Sequence, residues 1–109
     1  MAPKSIPDDV KRKATEIIDR FNHTELARTA SCYSPRWKGL FLYLDRTDHG
    51  RACPICRLKY TGDVTKWEFA IYKYSSERYE PEEWWFPGAD CVDGTIQGAM
   101  IAGMQAYSA

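Results

Sequence analysis

The chain has 109 residues, with 44% hydrophobic and 28% charged, and its fifteen basic residues balance fifteen acidic ones. That length fits one domain, taken as residues 1–109, and buries roughly 65% of its unfolded surface without staples. The apolar content excludes a disordered chain, and zero net charge disfavours non-specific nucleic-acid binding, which comes from neutralising phosphates.

Met1–Ser5 is polar, and no apolar run approaches the ~18 residues of a membrane span. The expectation is a cytoplasmic protein with reduced cysteines and no membrane contact. Ser5-Ile6-Pro7-Asp8 reads as a helix start, with Ser5 capping. Val10, Ala14, Ile17, Ile18 and Phe21 then recur at helical spacing, which predicts a helix over about 6–22. Residues 22–34 lose the period and read as a helical extension or loop.

Three strands follow. Trp37 to Arg46 alternates Leu40, Leu42 and Leu44 with Phe41 and Tyr43. After the turn Thr47–Gly50, Ile55 to Thr61 sets Cys56, Leu58 and Tyr60 against Arg57 and Lys59. After Gly62-Asp63, residues 66–75 set Trp67, Phe69 and Ile71 against Ala70, Tyr72 and Tyr74. Glu80–Glu83 resembles one helical turn, followed by Trp84-Trp85-Phe86 and the stop Pro87-Gly88. Asp93 caps a last helix over about 94–107, on which Gly94, Gly98, Ala102 and Ala106 form a low ridge. The fold class is α+β: two layers, a three-stranded antiparallel meander with N- and C-terminal helices, order α-β-β-β-α.

Cys53-Pro54-Ile55-Cys56 resembles the knuckle of rubredoxin-like and zinc-ribbon domains, a resemblance that covers four residues. It implies a metal held by Cys53 and Cys56, completed by Cys32 and Cys91 with His49 in reserve. Against it, an extended 53–56 segment sets its end Cα atoms about 10 Å apart, and no second Cys pair is present. The expectation is four free cysteines, no metal and no cofactor.

The aromatic content is 14%. The Leu face must be core. The other face carries Phe41, Tyr43, Arg57, Lys59, Tyr72 and Tyr74, and two helices cannot easily cover both faces. An uncovered aromatic face marks an interaction site. The chain therefore reads as a small binding or self-associating module, its partner a second copy or another protein. The alternatives are a single-stranded nucleic-acid binder, and Trp84–Phe86 folding back over the face. A third is a ligand or enzyme cleft near Trp84, Trp85 and Phe86, with Arg57, Asp90 and Glu83 as polar groups. His23 and His49 sit at a helix end and a turn. The acidic residues sit at turns and caps, so no catalytic residue is assigned and an enzyme is not the first expectation.

Overall fold

The computed structural model describes residues 4–107; Met1–Pro3 and Ser108–Ala109, the ends of the expected 1–109 domain, lie outside it. Helix α1 spans Asp8–Thr24, and the buried part of its apolar stripe is Ala14, Ile18 and Phe21. Ser5 does not cap it. Pro7 occupies the cap position with no side-chain hydrogen bond, and Asp8 and Asp9 place negative charge at the positive helix end instead.

Five strands follow rather than three: β1 Ser31–Lys38, β2 Phe41–Asp48, β3 Arg51–Lys59, β4 Glu68–Lys73 and β5 Arg78–Glu80. They form an antiparallel meander in chain order. Two local causes explain the difference. Gly39, at φ 58°, turns the chain in the left-handed region, so Trp37 and Lys38 end β1, which starts at Ser31 within the segment 22–34 expected as a helical extension or loop, and Phe41 opens β2. Glu77, at φ 54°, reverses the chain after β4. The short strand β5 ends at Glu80, and the expected single turn at 80–83 follows it, closed by Glu83 N donating to Glu80 O at 3.3 Å. A tight hairpin with positive φ at both His49 and Gly50 joins β2 to β3.

Between Leu44 and Asp45 the β2–β3 register shifts, because Leu44 faces Cys56 while Asp45 faces Pro54. Ile55 is the extra residue, so Ile55 and Cys56 are both buried. With Leu42, Leu44, Leu58 and Ile71 they meet Ile18 of α1 and Met100 of α2 (Ile96–Ala106) in one core. Both helices cover this face. Thr95, not Asp93, caps α2, accepting from Gly98 N at 3.0 Å while Asp93 holds Thr95. The ridge is used at Gly98, where a Cβ would come 2.6 Å from Cys91 O, in the turn before the helix. No described helix is long and apolar enough to cross a membrane.

The edge strand β1 is closed against pairing. Asn22 of α1 accepts from Tyr33 N and donates to Tyr33 O, both at 2.8 Å, as a neighbouring strand would. Thr29 Oγ1 accepts from Ser31 N, and Pro35 has no N–H to offer.

Arg46 lies on the inward side with Leu42 and Leu44 and is 1% exposed. Its Nε donates to Asp48 at 2.8 Å, its Nη1 to Gly103 O at 3.3 Å and its Nη2 to Tyr107 O at 2.6 Å. Tyr33 Oη donates to Met100 O at 2.8 Å. Sheet side chains therefore bind carbonyls of the second half of α2 and of its C-cap Tyr107, in addition to the backbone bond from Tyr107 N to Gly103 O at 3.0 Å. Arg46→Met leaves Asp48 with Ser31 Oγ as its remaining side-chain donor and removes the side-chain donor to Tyr107 O. It is expected to lower the unfolding free energy by about 3–5 kcal/mol, measured by urea denaturation. A loss within experimental error would show that the cap does not anchor α2.

Candidate binding face

On the sheet face away from the helices, Arg36 projects from β1, and Phe41, Tyr43 and Asp45 project from β2. Arg57 and Lys59 follow on β3, Glu68, Ala70 and Tyr72 on β4, and Tyr79 on β5. The register places Tyr43 between Arg36 and Arg57, Arg57 opposite Ala70, Lys59 opposite Glu68, and Tyr72 opposite Tyr79.

This face is not flat. Neighbouring strands lie ~4.8 Å apart, so β2 and β5 would be about 14 Å apart in a flat sheet. Tyrosines standing upright on such a sheet would keep their rings about that far apart. The ring centroids of Tyr43 and Tyr79 are 5.2 Å apart. Arg36 on one edge strand reaches the Tyr79 hydroxyl on the other at 3.4 Å. The sheet therefore curls toward this face and forms a furrow. Ala70, 3% exposed, is its floor, where a larger side chain would hold the walls apart.

The furrow is filled edge to face. Phe41, Tyr43, Tyr79, Tyr72 and Tyr74 form a continuous chain of ring contacts that ends on Tyr107, beyond α2. Tyr74, just past β4, remains 47% exposed and donates to Pro54 O at 2.9 Å. The Arg36 guanidinium stacks 4.5 Å from the Tyr43 ring and its Nε binds Asp45 at 3.0 Å. Arg57 lies 4.5 Å from the Phe41 ring and 5.5 Å from that of Tyr79. Among the described residues it forms no ion pair and no side-chain hydrogen bond. At its edge opens a pocket of about 250 Å³, lined by Phe41, Arg57, Lys59, Glu68, Ala70 and Pro81. A larger hollow of about 310 Å³ lies between the helices, at Ile17, Phe21 and Ile101, rimmed by flexible charged side chains such as Lys13 and Glu16.

Of the residues singled out in the sequence, Phe41, Tyr43, Arg57, Lys59 and Tyr72 share the furrow, and Tyr74 continues it. Trp84 and Trp85 do not. Trp84 and Phe86 pack with Phe69, which is paired with Leu58 on the helix-covered side. Trp85 is 96% exposed on its loop. The Trp84–Phe86 segment therefore does not cover the aromatic face. The expected cleft group is not assembled there either, because Arg57 is on the opposite side of the sheet and Glu83 is bound by Lys73 at 2.7 Å. Arg36 and Tyr79 were missed in the sequence. Arg36 precedes the expected strand start, and Tyr79 sits in a strand of three residues, too short to show a period.

The four cysteines are free. Cys56 is buried, and burial pushes its thiol up. Among the described residues no three His, Cys, Asp or Glu side chains are gathered to hold a metal. Burial also raises Tyr79 and Tyr107, and with Cys53 nearby it pushes Tyr74 up to about 12. At neutral pH these phenols are donors. The furrow thus offers rings, hydroxyls and one uncommitted guanidinium, a set suited to binding rather than to nucleophilic attack. Comparison with family models, with curated proteins and with solved structures finds no match to this chain.

The raised phenols give a signed expectation. A tyrosine is neutral in both folded and unfolded chains below pH ~10, and only the unfolded form ionises as the pH rises further. Stability is therefore complete below that pH and falls as the pH climbs toward about 12, the value for Tyr74. Urea midpoints followed across this window should drop, and Tyr74→Phe should reduce the drop. Equal slopes for the two proteins would contradict it.

Proposed function

We propose that this chain is a small binding module without catalytic chemistry of its own, and that its ligand enters the aromatic furrow at the pocket beside Ala70. The observation that carries this reading is the contact between Tyr43 and Tyr79. It closes the face over Ala70 and leaves at the edge of the furrow a pocket walled by Phe41, Arg57 and Pro81. Concave sites lined by aromatic groups, with a few fixed polar groups, are where small ligands bind. The free cysteines support a reducing, cytoplasmic setting for it.

A second copy is the other occupant the face admits. Lys59 and Glu68, opposite in charge and without ion pairs among the described residues, are self-complementary across a two-fold axis. Concavity weighs against it, since two furrows placed face to face touch mainly at their rims. Single-stranded nucleic acid fits less well. The guanidinium groups of Arg36 and Arg57 already cover ring faces on which bases would stack.

Amide correlation spectra during titration with indole and benzyl alcohol test the reading. The expected shifts fall on Phe41, Arg57 and Ala70, and Ala70→Leu, which fills the floor, should abolish them. Shifts confined to Ile17, Phe21 and Ile101 would move the site to the hollow between the helices. Concentration-dependent shifts at Tyr43 and Tyr72 without ligand would identify a second copy as the occupant.

A further inference from the structure

We infer that the pocket beside Ala70 is an organic-anion site whose ligand is a monocarboxylate on a single-ring apolar body, an inference that rests on the furrow being the binding site. Three arginines lie against aromatic rings in this fold. Arg36 has given its donors to Asp45 and Tyr79, and Arg46 has given its own to Asp48 and the end of α2. Arg57 has given none among the described residues. Its Cζ lies 4.5 Å from the Phe41 ring and 5.5 Å from that of Tyr79, which restrict the guanidinium while its N–H groups have no side-chain partner among the described residues. A guanidinium held in this way is prearranged for the two oxygens of a carboxylate.

The other pocket residues set the charge and size. Lys59 and Glu68 face each other across β3 and β4 on the same side of the sheet, so their charges largely cancel. The net charge at the pocket is that of Arg57 alone. A single net positive charge is balanced by a monoanion and is exceeded by a phosphate monoester dianion. Phe41, Ala70 and Pro81 supply the apolar wall. The volume of about 250 Å³ is below the roughly 300–1,000 Å³ of drug-sized sites and suits a buried group of about one ring.

Phenylacetate is the probe, with phenylacetamide as its neutral counterpart and phenyl phosphate as the dianion. Titrations are read on the Arg57 Nε–Hε resonance and the Ala70 amide. Phenylacetate is expected to shift both and to bind about tenfold or more tighter than phenylacetamide, the scale of a lost charge-assisted hydrogen bond. Phenyl phosphate should bind more weakly than phenylacetate. Arg57→Lys keeps the charge but not the fork, and should cost about tenfold in phenylacetate affinity while the amide spectrum of the helices stays unchanged. Phenylacetamide binding as tightly as phenylacetate at the same residues would overturn the anion site and leave the furrow as the ligand site. Tightest binding by phenyl phosphate would also overturn it. If no probe shifts Arg57 or Ala70, the anion site fails. If indole and benzyl alcohol are silent as well, the furrow reading fails with it.

Discussion

Two helices lie on one face of a five-stranded sheet, and no helix covers the aromatic side chains of the other face. That shortage of cover is the constraint on which the rest of the outer face depends. Exposed flat, Phe41, Tyr43, Tyr72 and Tyr79 would offer water a large apolar surface. Curling the sheet brings Tyr43 to 5.2 Å from Tyr79 and removes part of each ring from water without a covering layer. Ala70 is small enough to permit it. Arg36 and Arg57 complete the cover by laying their guanidinium faces on the rings, where a cation is attracted and the alkyl stem shields apolar surface.

The same economy governs the other layer. α2 is short and rich in small residues, and its C-terminal end is held by Arg46 and Tyr33 from the sheet. Burying a guanidinium is costly, and only a full set of acceptors makes it tolerable. Asp48, Gly103 and Tyr107 provide that set. Asn22 and Pro35 close the β1 edge, and β5 is only three residues long. Strand addition is thus discouraged at both edges of the sheet.

Much of this was legible in the sequence. The helical stripe from Val10 to Phe21, the alternation Leu42-Tyr43-Leu44 and the division of Arg57 and Lys59 from Cys56 and Leu58 all have periods that physics enforces locally. The strand count was not legible, because β1 carries a proline and an arginine at an edge, where propensity is weakest. β5 has too few residues to show alternation. Arg46 was legible in principle. It shares the parity of Leu42 and Leu44, so a strand continued to Asp48 places a charge in the core and demands partners for it. The curl was beyond reach, since it depends on contacts between β1, β2 and β5 that are far apart in the chain.

The furrow exists only if the rings of its two walls touch, and that contact can be measured. Selective labelling of tyrosine rings, followed by nuclear Overhauser spectroscopy, reports contacts between individual side chains. Direct cross-peaks are expected between the ring protons of Tyr43 and Tyr79, alongside those between Tyr72 and Tyr79. Cross-peaks between Tyr72 and Tyr79 with none between Tyr43 and Tyr79 would mean that the β4–β5 hairpin forms but the sheet stays flat, and would contradict the furrow.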